Sequence, residues 1–285
     1  MFDGAAFGGG QFFVFGRQPD EYNDLQLLVR TSNDGTNWTY STAYFSPHFS
    51  RINRIIYSGG RFFVFGRDHD SDSLAKTTTD FTNSTGWGVP ITDHFSGWYS
   101  SAEIVHGANR FFAFRDGTPL VKSSTYGKTW QNVADVYFDD FELLHGISFG
   151  SGKFIAFGGH NNEEDPLIKT SVSEYGTSWN PVTDVFGDPN FYINYISFAE
   201  GRFFAFGSRW EGVGSNTLRD YQTLAESSTN GITWTPEPFL VDHFESGGLK
   251  IREVLLGGGR TFVLAYEWIN GVVPQQLDIV VFVKD

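Results

Sequence analysis

The sequence predicts an all-β protein assembled from six tandem units, and three observations predict it. Composition favours strands and turns over helices: 30 phenylalanines, 12 tyrosines and 33 glycines stand against one methionine in 285 residues. One motif recurs six times, a turn, then a polar or basic residue, then a phenylalanine-rich run. A second motif, a small polar turn closed by tryptophan, follows it in the first five units.

The first motif reads Gly10-Gln11-Phe12-Phe13-Val14-Phe15 and then Gly60-Arg61-Phe62-Phe63-Val64-Phe65. It returns as Asn109-Arg110-Phe111-Phe112-Ala113-Phe114 and Gly152-Lys153-Phe154-Ile155-Ala156-Phe157. The last copies are Gly201-Arg202-Phe203-Phe204-Ala205-Phe206 and Gly259-Arg260-Thr261-Phe262-Val263-Leu264. Their polar anchors, at 11, 61, 110, 153, 202 and 260, lie 50, 49, 43, 49 and 58 apart. A period near 50 suits one four-stranded propeller blade. The expectation is a single domain over 1–285, a six-bladed β-propeller. Its repeats run about 1–49, 50–97, 98–140, 141–188, 189–246 and 247–285.

The residue before each anchor is Gly, or Asn at 109, the two types that most readily take positive φ in a hairpin turn. The run after it is apolar at consecutive positions, so both faces of that strand are buried. Fifteen of the 30 phenylalanines lie in these runs, which makes the excess a packing feature. The tryptophan motif is clearest in Ser227-Ser228-Thr229-Asn230-Gly231-Ile232-Thr233-Trp234. Thr31 to Trp38, Ser123 to Trp130 and Ser171 to Trp179 are looser copies, and repeat two is reduced to Thr85-Gly86-Trp87. Small hydroxyl and Asx side chains around a glycine make a self-bonded turn, which the indole seals.

These turns resemble the Asp-box, or BNR, repeat of sialidase-like β-propellers, in the variant found in bacteriophage tail and virion propellers. The acidic position is read five before the tryptophan, where Asn33, Thr125, Glu174 and Thr229 stand. The resemblance implies a propeller fold. It also implies a virion or tail-associated adhesin that contacts host-surface glycan or a protein partner.

Charge and composition exclude several classes. Net charge is 20 − 33 = −13, which disfavours a phosphate backbone as partner. No cysteine is present, so there is no disulfide, zinc-thiolate or thiol chemistry. No apolar run is long enough to insert in a membrane, and no signal peptide is read at Met1-Phe2-Asp3-Gly4. The expected setting is a virion, or extracellular after release, following synthesis in a cytoplasm. No cofactor is expected.

If strand a is innermost, the a–b turns and the tryptophan turns share one end of the propeller. The b–c loops and d–a crossovers occupy the other, and their variability makes it the expected binding end. The expected binding residues are Tyr22, then Asp68, His69 and Asp70, then His160, and Arg209 with Trp210. Trp98, Tyr99 and Trp268 join them as aromatic platforms for sugar faces. Asp68-x-Asp70-x-Asp72 begins like a calcium loop. Ser73 stands where its glycine belongs and Thr79 where its glutamate belongs, so it reads as a solvated acidic loop. His48, His94 and His243 recur in the crossovers and read as turn chemistry.

The alternatives are a sialidase-like glycoside hydrolase and an intracellular assembly scaffold. Arg17, Arg67, Arg115 and Arg209 follow strand b and resemble the arginines with which sialidases clamp a substrate carboxylate, but are expected to lie away from the central channel. Only 25 residues follow Arg260, too few for a tryptophan turn and a fourth strand. The last blade is therefore expected to be three-stranded. Leu277–Val283 is its outer edge, covered by a virion or other assembly protein.

Overall fold

The computed structural model describes residues 2–22, 24–70, 73–81, 87–88, 102–115, 121–126, 129–133, 143–159, 166–171, 178–182, 185, 191–210, 221–237, 249–257, 260–267 and 278–283. Its first sheet contains β1 (Phe2–Gly8), β2 (Gln11–Pro19), β3 (Leu25–Ser32) and β4 (Thr39–Tyr40), and the short helix α1 (Thr42–Phe45) follows. The second sheet has three strands, β5 (Arg51–Ser58), β6 (Arg61–Arg67) and β7 (Ser73–Thr78). The third pairs β8 (Ala102–Gly107), β9 (Arg110–Arg115), β10 (Val121–Ser124) and β11 (Gln131–Asn132). The fourth is β12 (Leu143–Gly150), β13 (Lys153–Gly159), β14 (Pro166–Ser171) and β15 (Trp179–Val182). Next come β16 (Phe191–Ala199), β17 (Arg202–Trp210), β18 (Tyr221–Ser228) and β19 (Thr235–Pro236). The last sheet holds β20 (Leu249–Gly257), β21 (Arg260–Glu267) and β22 (Asp278–Val283).

This corrects the expected six-bladed ring of four-stranded repeats shortened only at its end. Among the described residues four sheets carry four strands, and the second carries three, as the last does. The tryptophan turn of repeat two is the eroded one, Thr85-Gly86-Trp87, and among the described residues no fourth strand pairs with β7. Instead the Gly88 N–H donates to the Thr77 carbonyl, and Trp87 packs on Phe45, Phe49 and Phe81. The outer strands of the four-stranded sheets are two to four residues long.

The phenylalanine runs form β2, β6, β9, β13 and β17, and their side chains fill the space between sheets. Phe13, Phe15, Phe154, Phe203 and Phe206 are essentially inaccessible to solvent. Each hairpin before such a strand is a two-residue turn with positive φ at both positions, as in Gly9-Gly10 at 57° and 78° and Ala108-Asn109 at 50° and 57°. That is the primed turn whose twist matches the strands it joins. The sequence pattern shows only its second residue. A Cβ on Gly152 (φ 72°) meets nothing within 4 Å, so a substitution there tests backbone strain alone. Gly152→Val should cost about 1–3 kcal/mol, and Asn109→Gly should leave the melting temperature nearly unchanged. Equal melting temperatures would refute this turn assignment.

The strands that precede the turns, β1, β5, β8, β12, β16 and β20, pack side by side in chain order, and β20 returns to β1. The contact between neighbours repeats. An aromatic ring near the end of one inner strand rests on a glycine of the strand before it. Tyr57 covers Gly8, Phe149 covers Gly107 and Phe198 covers Gly150, each so closely that a Cβ would fall 2.0–2.2 Å from the aromatic side chain. At one boundary Ser58 takes the glycine's place. Its hydroxyl lies 3.2 Å from Nε2 of His106.

Burial pushes His106 below the ordinary histidine value of 6.5. The neutral ring is thus the folded form, and the unfolded chain binds the proton more readily. This boundary contributes its full stability above about pH 6.5 and loses part of it as pH falls below that value. The wild type should lose several degrees of melting temperature between pH 7.5 and 5.5, and His106→Gln should lose less. Equal losses would remove His106 from the account.

Candidate functional site

Five of the six inner strands carry a β-bulge at the same place. The pairing register shifts between Phe2 and Gly4, Ile52 and Arg54, Leu144 and Gly146, Ile193 and Tyr195, and Ile251 and Glu253. A bulge bends its strand and re-aims the residue beside it. The residue after each bulge pairs with the last residue of its neighbour's run: Gly4 with Phe15, Arg54 with Phe65, Gly146 with Phe157, Tyr195 with Phe206 and Glu253 with Leu264.

Three of these residues meet. Glu253, between Arg252 and Val254 on β20, is 3% exposed. Its Oε1 lies 3.0 Å from Nη1 of Arg54 on β5 and 3.3 Å from the hydroxyl of Tyr195 on β16, which donates to it. Its Oε2 accepts the N–H of Ala5 on β1 in a short hydrogen bond. One carboxylate thus joins four inner strands. A buried carboxylate is tolerable only when paired and hydrogen-bonded, and this one has a guanidinium, a phenol and an amide as partners. Gly4 keeps the space open, since a Cβ there would fall 2.7 Å from the Phe15 ring and 3.3 Å from Oε2 of Glu253.

A second constellation lies beside the first, toward the end with the b–c loops. Asp3, next to Gly4, places Oδ2 at 3.5 Å from Nε of Arg17 on β2 and 3.7 Å from Nε of Arg51 on β5. The two arginine side chains remain 29% and 31% exposed, and Asp3 only 9%. Arg67 pairs in register with Arg51, so three guanidinium groups belong to the neighbouring first and second sheets. Arg17 was expected away from the channel. Its ion pair with an inner-strand residue corrects that.

The other expected residues fall elsewhere. Tyr22 is 78% exposed in the β2–β3 loop, which Asp20 caps by accepting the N–H groups of Tyr22 and Asp24. Asp68 caps its own loop by accepting the Asp70 N–H, and His69 Nε2 lies 2.8 Å from the Ser46 carbonyl. His48 is 2.9 Å from the Lys76 ammonium, whose pKa burial lowers. Arg209 and Trp210 end β17, paired in register with Gln222 and Tyr221. Trp98, Tyr99, His160 and Trp268 lie outside the described residues. Sequence reasoning missed Asp3, Arg51, Arg54, Tyr195 and Glu253. The available signal was a charge interrupting an apolar strand, as in Ile251-Arg252-Glu253-Val254-Leu255-Leu256.

The tryptophan turns sit at the opposite end. Ser32 Oγ accepts the N–H groups of Asp34 and Gly35, and Asp34 accepts those of Thr36 and Asn37. Hydrogen bonds from Asn37, Thr36 and Ser32 hold the Asp34 carboxyl well below the usual carboxylate range. Ser228 and Asn230 repeat this arrangement. The capping residue is therefore four before the tryptophan, at Asp34 and Asn230, and not five.

No protein-family model and no curated protein sequence matches this chain. Among solved structures, Trypanosoma rangeli sialidase in complex with the inhibitor DANA aligns at 13% identity and a TM-score of 0.53, over 97% of this chain and 53% of its own. A luciferin-regenerating enzyme aligns at 9% identity and a TM-score of 0.52, over 93% of this chain and 83% of its own. An α-L-arabinofuranosidase from Clostridium thermocellum aligns at 11% identity over 96% and 87%, with a TM-score of 0.44, too low to support inference. The chain is a β-propeller, and the likeness to these structures extends to the fold alone.

Proposed function

We propose that the protein is a sialidase-like glycoside hydrolase acting where its inner strands converge. The observation that carries this reading is the Tyr195 phenol donating to the buried Glu253 carboxylate beside the Arg54 guanidinium. A tyrosine becomes a useful nucleophile when an adjacent base takes its proton, and tyrosine is the nucleophile that sialidases use in place of a carboxylate. In the first step the Tyr195 oxygen bonds to the anomeric carbon, its proton passes to Glu253 and the aglycone leaves. Arg54 stabilises the negative charge that develops on the phenol oxygen. Arg17 and Arg51, partly open to solvent, supply the bidentate donors that a sugar carboxylate requires.

This reading stands in place of the adhesin suggested by the repeat resemblance, for which the described residues supply no site. The test is a panel of methylumbelliferyl glycosides that includes N-acetylneuraminic acid and α-L-arabinofuranose. Release of the fluorophore is expected from the acidic sugar. No turnover of any member would overturn the proposal, and saturable glycan binding without turnover would return the recognition reading.

A further inference from the structure

The pairing of each bulged inner strand steps over one residue. These residues are Asp3, Asn53, His145, Asn194 and Arg252, and all five are polar. In β8, whose pairing with β9 runs without a shift, no residue is stepped over. The partner strands are built to accept the bulge. Opposite the residue before it stands Gly16, Gly66, Gly158, Gly207 or Ala265. A Cβ on Gly66 would fall 2.0 Å from the Arg51 carbonyl oxygen, so the bulged backbone occupies the space a side chain would need. At the unbulged pair the same position is Arg115, opposite Ala102.

Packing decides where side chains at these bulges go. An inner strand pairs with strand b along its outer edge and lies between the inner strands of two neighbouring sheets. A side chain exposed midway along it has only the enclosed channel to face. Among the described side chains of the inner strands, Asn53, Tyr57 and His145 are exposed, and Tyr57 stands beside the hairpin at the far end. Asn194 is partly exposed. Asp3 shows the reach of a side chain at a bulge, since it meets Arg17 and Arg51 toward the end with the b–c loops. Asn53 directly precedes Arg54, and Asn194 directly precedes Tyr195, so both stand one step from the buried cluster toward that same end. A bulge re-aims a side chain without loosening the strand that carries it, which keeps such a position precise.

The chemistry of these residues complements that of the arginines. A guanidinium only donates hydrogen bonds, which suits a carboxylate. A carboxamide or an imidazole can donate and accept, as a sugar hydroxyl does. In the ring, β12 and β16 stand across from β1 and β5. A sugar acid whose carboxylate meets Arg17 and Arg51 therefore turns its far side toward His145 and Asn194, with Asn53 beside the arginines. We infer that Asn53, His145 and Asn194 are specificity-determining residues that hydrogen-bond the hydroxyls of the sugar, a role that rests on the hydrolase proposed above.

The experiment measures competitive inhibition of methylumbelliferyl N-acetylneuraminate turnover by two acids, N-acetylneuraminic acid and cyclohexanecarboxylate. Both carry a carboxylate on a six-membered ring, and only the first carries hydroxyls. Asn53→Ala, His145→Ala and Asn194→Ala should each weaken inhibition by N-acetylneuraminic acid about threefold to tenfold, the worth of one hydrogen bond, and leave inhibition by cyclohexanecarboxylate unchanged. The loss should appear in KM more than in kcat. His145→Gln, which keeps a donor and an acceptor, should recover part of it. A variant that merely disturbs the fold weakens both acids alike, and that result in all three would overturn the assignment. Turnover by the wild type with unchanged discrimination between the acids in every variant removes the hydroxyl contacts and leaves the hydrolase standing. No turnover by the wild type removes both.

Discussion

Tyr195→Phe should lower kcat on methylumbelliferyl N-acetylneuraminate by at least about a thousandfold, because it removes the bond-forming oxygen and nothing else. The substitution deletes the 3.3 Å hydrogen bond to a carboxylate that keeps Arg54 and the Ala5 N–H. Melting temperature should therefore move little, and substrate affinity should persist. Steady-state kinetics read together with a thermal melt check both halves. A variant with wild-type kcat would remove the phenol from the mechanism. A variant that melts far below wild type would make Tyr195 a structural residue.

Trp234→Ala carries the largest expected loss of stability, about 3–5 kcal/mol. The indole is 8% exposed and closes the tryptophan turn of the fifth sheet. It belongs to an apolar cluster with Ile155, Phe157 and Ile168 of the fourth sheet and Phe203 of the fifth. In that turn Gly231, at φ 70°, lies so close to Ile155 that a Cβ would fall 2.7 Å from its Cδ1. Removing the ring leaves a cavity at a boundary between sheets, where the turn's own hydrogen bonds hold the walls apart. Denaturant unfolding measures the cost. A loss under about 1 kcal/mol would mean that the indole does not seal the boundary.

The repeated strand–turn–strand unit was legible because its chemistry is local. A turn with positive φ admits few residues, and a strand buried on both faces must be apolar throughout. The number of outer strands was harder to read, because strand d is as short as two residues in Thr39–Tyr40 and Thr235–Pro236. A sequence pattern cannot separate such a strand from a loop. The site was not legible for a different reason. Loop variability pointed toward Tyr22, His69 and Trp210, whereas Glu253, Arg54 and Tyr195 lie far apart in sequence, inside strands that read as ordinary core. Their meeting depends on bulges that shift the register by one residue, and no local composition announces them. One position was also miscounted: the capping side chain is Asp34, not Asn33, as its bonds to the Thr36 and Asn37 N–H groups make plain.

The bond between Glu253 and the Ala5 amide spans 248 positions of the chain. It forms only when β20 reaches β1, so it marks the closure of the ring. Every other boundary between inner strands joins sequence neighbours and can assemble progressively. Closure instead brings distant segments together against a large loop entropy, and such long-range pairing is slow. Until it occurs, Glu253 lacks both the Ala5 amide and the Arg54 guanidinium, so the carboxylate beside Tyr195 is not held in place. Recovery of activity during refolding would then lag behind recovery of strand signal and report the time at which the circle shuts.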